Sequence, residues 1–305
     1  MYSYLFMVLV VIIYAGNILI GKSINDLPPF TIAFIRLLIA FLVLFPLGYK
    51  KAWKYRLTFW ENKRPFLIMA LAGITFFNTF IYGALQFTTA TNVSVLESVI
   101  PVVTVIISAF MLKEKLSFIQ WSGIMLSLLG AVWVVMDGRL FQLTSMAWNI
   151  GDGLMIGSIV SWAVYSVYVK QYMHLFPSFA AILLMTGISV VLLFPVVLIE
   201  WWVTGVPSFN GSSHVLGLLY LGIFPSFIAL ILYNRAVDAL GPSKASVFLN
   251  FLPVVTMVGA YFWLGETITV MQMIGAVIVI SGVILTTQFN KPRRRKVDYK
   301  KQEVL

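Results

Sequence analysis

Apolar stretches of about 16–23 residues recur along the whole chain, with short polar or proline-containing segments between them. An α-helix rises 1.5 Å per residue, so a stretch of that length crosses a hydrocarbon core of roughly 30 Å. Soluble domains carry about 25% charged residues. Here only 10% of the residues are charged and 60% are hydrophobic, with a mean hydropathy of +0.95. The sequence therefore predicts an all-α integral membrane protein.

We predict ten transmembrane helices. They run near 4–21, 30–49, 66–87, 92–112, 119–136, 154–169, 179–201, 215–233, 244–264 and 270–288. Prolines such as Pro28, Pro65, Pro177 and Pro242 fall between these spans, where a missing N–H and a fixed φ are tolerated.

Lysine and arginine are distributed unevenly between the two sides of the predicted membrane domain. Alternate loops and the C-terminal segment hold 18 of the 21 basic residues, whereas the opposite side keeps Lys22 and Arg139. Basic loops remain in the cytoplasm and are attracted to anionic lipid headgroups. The chain is therefore expected in the cell membrane, with both termini in the cytoplasm and anionic lipids at that face. The net charge of +10 therefore does not indicate nucleic-acid binding, because the basic residues lie in alternate loops and the C-terminal segment.

The second half of the chain repeats the first. A shift of 152 residues produces twelve identities over positions 94–130, and it places Pro-Val-Val-Thr at 101–104 on the same sequence at 253–256. A shift of 148 places Tyr14 on Trp162. Five helices in each half would insert the second half upside down, which gives an inverted repeat.

The predicted organisation has three parts: a first five-helix repeat over 1–140, an inverted second repeat over 141–290, and a basic cytoplasmic tail over 291–305. Two halves of opposite orientation can exchange conformations, which produces outward-open and inward-open states of similar stability. This organisation favours a secondary carrier with its site near the midplane.

Several ordered motifs resemble one known family. They are Tyr-Ala-Gly-Asn from Tyr14, Arg-Leu-Leu-Ile-Ala from Arg36, and, in both halves, Pro-Val followed by Glu and then by two glycines seven residues apart. This pattern resembles the drug/metabolite transporter superfamily, and within it the EamA-type ten-helix carriers. The resemblance implies two EamA-type repeats and a central cavity lined by helices one, three, four, six, eight and nine. It also implies export of small metabolites such as amino acids.

Glu97 is the leading candidate for a functional charge, because it lies inside the predicted fourth span. An ionisable group at that depth faces a cavity or a partner rather than lipid. Its carboxyl could exchange protons during transport or hold a cationic substrate. The alternative is a solvated carboxyl near the outer headgroups.

Three pairs of polar or aromatic residues share a helix face near the middle of a predicted span. They are Tyr14 with Asn17, Asn78 with Tyr82, and Trp162 with Tyr165. Aromatic rings and amides can hold an amphipathic or cationic solute through stacking, cation–π contact and hydrogen bonds. The alternative is helix–helix contact, since Asn and Tyr often bridge transmembrane helices.

Asn250 and Arg36 complete the set of polar residues inside spans. Asn250 lies one position from the repeat mate of Glu97 and is a candidate gate residue or substrate contact, although packing is the favoured interpretation. Arg36 is expected to be structural, paired with Asp26 or with a lipid phosphate. The paired glycines at 123 and 130, and at 275 and 282, predict surfaces of close helix packing.

Other functional classes find less support in the residues. There is no cysteine, no P-loop and no HExxH motif around His174 or His214, so the sequence predicts neither an enzyme nor a cofactor or metal. A facilitative channel stays open as an alternative, since a channel needs no alternating access. A polytopic membrane enzyme is the remaining, weaker alternative.

Overall fold

The computed structural model describes residues 2–87, 90–113, 116–135, 149–209, 211–264 and 269–288. These residues are almost entirely helical, and no strand occurs among them. Arg139, the motif glutamates Glu114 and Glu266, and the basic segment 291–305 lie outside the described residues, as do both predicted domain boundaries, 140/141 and 290/291.

We number the helices α1 to α13 in chain order. They are α1 Tyr2–Ser23, α2 Pro29–Lys54, α3 Arg56–Glu61, α4 Lys63–Phe87, α5 Ala90–Glu97, α6 Ile100–Met111, α7 Phe118–Val135, α8 Ile150–Tyr172, α9 Ser178–Thr204, α10 Ser212–Leu240, α11 Pro242–Val247, α12 Leu252–Leu264 and α13 Val270–Gln288. A single 3₁₀ turn, Met173–Leu175, extends α8.

Six helices of the described chain are long and apolar enough to cross a membrane, namely α1, α2, α4, α8 with its 3₁₀ turn, α9 and α10. Shorter apolar helices lie at 100–111, 118–133 and 273–286. Large apolar side chains such as Leu42, Val191 and Trp202 are exposed on the outer surface. An all-helical molecule with an apolar exterior is the arrangement that a bilayer requires, because every backbone polar group is paired inside a helix.

Two of the long helices contain π-helical segments. In α4 the segment is Ala70–Phe76, and in α10 it is Phe224–Ala229. In each segment a hydroxyl hydrogen-bonds the carbonyl oxygen five residues earlier: Thr75 donates to Ala70 O and Ser226 to Leu221 O. π-Helical turns are rare in proteins overall, but many of those that do occur lie at functional sites.

Two other passages of the chain are broken rather than continuous. α5 ends at Glu97, and α6 begins at Ile100 after a two-residue turn. The 3₁₀ segment Phe248–Phe251 likewise separates α11 from α12. A proline follows each break, Pro101 in the first case and Pro253 in the second, and proline cannot donate the backbone hydrogen bond that would continue the preceding helix.

α2 and α9 pack antiparallel. The backbone N–H groups of Phe30 and Thr31, at the start of α2, donate to the carboxylate of Glu200 near the end of α9 at 3.0 and 2.8 Å. At the other end, the backbone at Gly48 approaches the carbonyl oxygen of Phe179. Glu200 therefore satisfies N–H groups that the first turn of α2 leaves without partners.

α7 and α13 also pack antiparallel, and glycines permit their close approach. A Cβ added at Gly282 would lie 2.4 Å from the backbone nitrogen of Ser127, and one at Gly123 would lie 2.7 Å from Gly282 O. A Cβ at Gly130 would lie 2.6 Å from the backbone nitrogen of Val279. Close backbone packing at glycines 123, 130 and 282 agrees with the sequence-based prediction.

Side-chain contacts join described connecting segments at opposite ends of α2. At one end Phe59 stacks on Phe176 with ring centroids 4.8 Å apart. At the other end His214 Nε2 lies 3.0 Å from the carboxylate of Asp26. Pro65, expected between spans, lies in the first turn of α4, where its missing N–H leaves no helical hydrogen bond unmade.

Candidate functional site

The guanidinium of Arg36 lies at the centre of a buried hydrogen-bond network. Arg36 is only 3% exposed, and its Nε donates to Ser226 Oγ at 2.8 Å. Its Nη1 donates to Asn17 Oδ1 at 2.9 Å and to the hydroxyl of Tyr82. Tyr82 in turn donates to Asn17 Oδ1 at 2.8 Å. One cation thereby links α1, α2, α4 and the π-segment of α10.

Every acceptor in this network is neutral. The one close contact between a basic and an acidic side chain among the described residues joins His214 to Asp26, so the suggested pairing of Arg36 with Asp26 is wrong. Asp26 is 64% exposed in a loop, whereas Arg36 points into the bundle. The ring of Tyr82 lies 5.2 Å from the guanidinium carbon, which adds a cation–π contact.

A second network joins α8 to α10. The hydroxyl of Tyr165 donates to Asn234 Oδ1 at 2.7 Å, and the indole N–H of Trp162 donates to the hydroxyl of Tyr233 at 3.1 Å. The same hydroxyl lies 2.6 Å from Ser166 Oγ. These side chains are buried and come from the two helices that face each other in the second half of the chain.

Aromatic rings connect the two networks. The rings of Tyr14 and Trp162 meet edge to face with centroids 5.7 Å apart, and Phe77 lies 4.3 Å from Trp162. Trp162 also contacts the rings of Tyr165 and Tyr233 at 5.3 and 4.8 Å. The cluster therefore spans α1, α4, α8 and α10, and it adds an apolar, π-rich wall to the polar groups.

Glu97 is the last residue of α5 and lies at the break before α6. It is 4% exposed, and no hydrogen bond to its carboxyl occurs within the part of the chain that the structure describes. α5, which ends at Glu97, packs against α1, α4 and α8. The buried position agrees with a carboxyl that faces the bundle interior and excludes a solvated carboxyl among the headgroups.

Six of the eight predicted site residues belong to this central region. They are Tyr14, Asn17, Tyr82, Glu97, Trp162 and Tyr165. Asn78 is buried as well, but its amide donates to Ile74 O of its own helix at 2.6 Å. Asn250 is buried in the 3₁₀ break and donates to Ser127 Oγ at 2.6 Å, so its contact is with α7.

Sequence reasoning missed Tyr233, Asn234 and Ser226 and understated Arg36. The 152-residue shift held the signal for one of them, because it places Tyr82 on Asn234. The signal for Ser226 was absent, since a serine in an apolar helix is ordinary and the π-helical turn that aims it at Arg36 is a feature of the fold.

A cavity of about 560 Å³ lies away from these residues, between α2, α3, α9 and the start of α4. Aromatic side chains such as Phe45, Tyr49 and Trp60 line it, and Arg56 and Lys63 are its charged residues. Because Phe45, Tyr49 and Trp60 are all exposed on the outer surface, this cavity opens toward the surroundings of the bundle rather than toward the central networks.

Comparison with known proteins identifies the family. Residues 1–136 and 149–288 match the EamA-like transporter family. The chain belongs to the EamA-like transporter family. The matched residues span nearly the whole chain, and the expected resemblance is thereby confirmed.

Curated relatives agree with this EamA-like membership. An uncharacterized transporter of Archaeoglobus fulgidus is 29% identical over 295 residues, which cover 93% of this chain and 97% of that protein. A probable terminal-alkyne amino-acid exporter of Streptantibioticus cattleyicolor is 25% identical over 209 residues, covering 68% of this chain and 67% of that protein. The chain is accordingly a multi-pass membrane transporter and not an enzyme, as the sequence predicted.

A solved structure shares the fold of this EamA-like chain. A crystal structure of a protein aligns with a TM-score of 0.74 at 17% sequence identity, covering 93% of this chain and 96% of that one. At this identity the likeness concerns the fold alone.

Proposed function

We propose that this EamA-like transporter is a secondary carrier that works by alternating access and exports amino acids or related small metabolites. In this proposal ten transmembrane passages form two inverted five-helix halves, 1–140 and 141–290. The broken passages α5–α6 and α11–α12 each count as one span. The substrate binds between the halves, near the Arg36 network and the aromatic cluster.

The observation that carries the proposal is a matched pair of contacts. In the first half Tyr82 of α4 donates to Asn17 of α1; in the second half Tyr165 of α8 donates to Asn234 of α10. The residue shifts of 148 and 152 relate these two bonds, with tyrosine and asparagine exchanged. Chemically equivalent contacts in two halves are what a carrier needs if each half is to adopt the arrangement of the other.

Helix irregularities repeat in the same way and support the proposal. Each half has a π-segment in its third passage and a break before a proline in its fourth. Discontinuous helices near the midplane commonly form substrate sites in carriers, because their free backbone ends face a cavity rather than lipid. The antiparallel packing of α2 on α9 and of α7 on α13 is the arrangement expected of corresponding helices related by inversion.

Contacts between the halves identify where alternating access would act. Arg36 of the first half donates to Ser226 of the second, and Tyr14 meets Trp162 edge to face. When one half rotates against the other, these contacts break and new ones form around the bound solute.

The substrate class follows from the chemistry of the same region. Buried amides, hydroxyls and aromatic rings suit a small amphipathic metabolite. The name of the Streptantibioticus cattleyicolor relative gives amino-acid export additional support. Glu97 either carries the coupling proton or holds the cationic group of the substrate, and these roles predict different behaviour of Glu97→Gln.

The cellular orientation belongs to the same proposal. Both termini lie in the cytoplasm of a cell-membrane protein, and anionic lipids contact the basic face. The distribution of basic residues supports this orientation.

Counterflow in proteoliposomes tests the carrier. Vesicles containing the purified full-length protein are loaded with one unlabelled amino acid, and entry of the labelled compound is followed. A carrier shows faster entry with unlabelled substrate on the far side, whereas a facilitative channel shows no such acceleration. Absence of trans-acceleration for every transported solute would contradict alternating access.

A further inference from the structure

Two buried side chains of opposite charge type, the guanidinium of Arg36 and the carboxyl of Glu97, lie inside the bundle and form no ion pair with each other. Arg36 is 3% exposed and Glu97 is 4% exposed. Among the described residues neither takes part in an ion pair. The helix that ends at Glu97 nevertheless packs against α1 and α4, and these two helices carry Asn17 and Tyr82, the hydrogen-bond partners of Arg36.

Each of the two groups keeps hydrogen-bonding capacity that the described residues leave unused. The guanidinium uses Nε and Nη1, and its Nη2 makes no hydrogen bond within the described chain. The Glu97 carboxyl likewise has no hydrogen-bond partner in that part of the chain. Buried charges are normally paired or hydrogen-bonded, because leaving them unsatisfied costs folding free energy. Unused donors on Arg36 and unused acceptors on Glu97, in one region of the bundle, point to a ligand with both complementary charges.

We propose that Arg36 binds the carboxylate of the transported solute while Glu97 binds its ammonium group, so that the site selects zwitterions. The inference rests on the proposed carrier function and names the substrate chemistry of that same site. Nη2 supplies two N–H donors to the carboxylate, and the planar guanidinium matches its geometry. The aromatic cluster around Trp162 contacts the side chain of the solute.

Charge balance gives the reason for this selectivity. When Glu97 is ionised, as the proposed site requires, its charge and that of Arg36 sum to zero. A zwitterion adds no net charge, so the occupied site is also neutral when the carrier crosses between its two states. A solute with only a carboxylate or only an ammonium group leaves one buried charge uncompensated, which is costly in a low-dielectric interior.

Thermal unfolding of the purified full-length protein in detergent tests the inference, because a ligand that binds the folded state raises its Tm. The standard amino acids are screened first. The amino acid that stabilises most is then compared with its methyl ester, which keeps only the ammonium group, and with its deaminated acid, which keeps only the carboxylate. We expect each analogue to bind about tenfold more weakly or worse, the loss of one charge-assisted contact.

Variants at the two charges separate recognition from general packing. In Arg36→Gln the amino acid should bind no better than its methyl ester, because the carboxylate contact is gone. In Glu97→Gln it should bind no better than the deaminated acid. Arg64→Gln and Glu61→Gln, at exposed positions, are the matched controls and should behave like the wild type. If Arg36→Gln does not fold, Arg36→Lys keeps the charge but loses the planar fork, and should weaken amino-acid binding about tenfold.

The outcomes distinguish this inference from the carrier proposal. Equal binding of the amino acid and either analogue, equal loss of all three ligands in both variants, or no stabilisation by any amino acid would overturn zwitterion selection. Counterflow of another class of solute in that case would leave the carrier proposal intact. Charge-selective binding without trans-acceleration would support the binding site and contradict alternating access.

Discussion

The hydroxyl of Tyr165 donates a hydrogen bond to Asn234 Oδ1 over 2.7 Å, between two buried side chains of α8 and α10. Asn234 Nδ2 has no partner among the described residues, so this bond is the amide's single side-chain contact there. Its counterpart, from Tyr82 to Asn17, shares its acceptor with Arg36. The two bonds thus join equivalent helices, but only the first-half bond includes a charge.

This difference predicts unequal effects of removing the two hydroxyls. Tyr165→Phe leaves the Asn234 amide without any partner, which should lower the stability by about 1–3 kcal/mol. Tyr82→Phe should cost less, because Asn17 keeps the stronger bond from Arg36. The Tm of the purified variants measures both effects. Tyr168→Phe, on the same helix and half-buried, is the matched control, and equal losses in all three variants would contradict the prediction.

Glu97→Gln tests the role of the buried carboxyl in transport. We expect counterflow of amino acids to fall, because the amide keeps the size of the side chain but loses the charge that holds the ammonium group. The measurement is trans-accelerated uptake in proteoliposomes with and without a pH gradient, with Glu61→Gln as control. A variant that still exchanges substrate but no longer responds to the gradient would instead identify Glu97 as the proton carrier. Unchanged affinity, counterflow and pH response would exclude both roles.

The close packing of α7 on α13 predicts that a single methyl group added at Gly282 lowers the stability of the protein. In Gly282→Ala the new Cβ would meet the backbone nitrogen of Ser127 at 2.4 Å, and a backbone contact cannot be relieved by a rotamer change. We expect a loss of about 1–3 kcal/mol from overpacking. Gly153→Ala is the control, because its Cβ would meet nothing within 4 Å. If Gly282→Ala has the same Tm as the control, α7 and α13 can move apart to accept the methyl group without loss of stability, and the prediction is wrong.

Membrane orientation is tested with a reporter that is active only in the cytoplasm. Fusions after Lys301 and within 50–64 should be active, and a fusion near Arg139 should be inactive, because 18 of the 21 basic residues then lie inside. Activity near Arg139 would contradict the ten-span arrangement, since one span more or fewer would place that residue in the cytoplasm.

Particular residues show how far the sequence could predict the site. Tyr14, Trp162 and Tyr165 were found because repeat position and helical spacing placed them at midspan, and all three lie in the aromatic cluster. Asn250 satisfied the same criteria and contacts α7 instead. Spacing identifies the face of a helix but not the helix that it meets, so the partner of each side chain could not be derived from periodicity.

The sequence by itself determined the membrane class, the family and the chemistry of the buried groups, because apolar length, repeated motifs and residue types are local properties of the chain. Only the tertiary structure decided that Arg36 meets Asn17, Tyr82 and Ser226 rather than Asp26. It also decided that the buried guanidinium of Arg36 and the buried carboxyl of Glu97 lie on helices that pack together, without forming an ion pair. The physical reason is that charge compensation depends on distances between helices far apart in sequence, and a π-helical turn and a helix break set those distances.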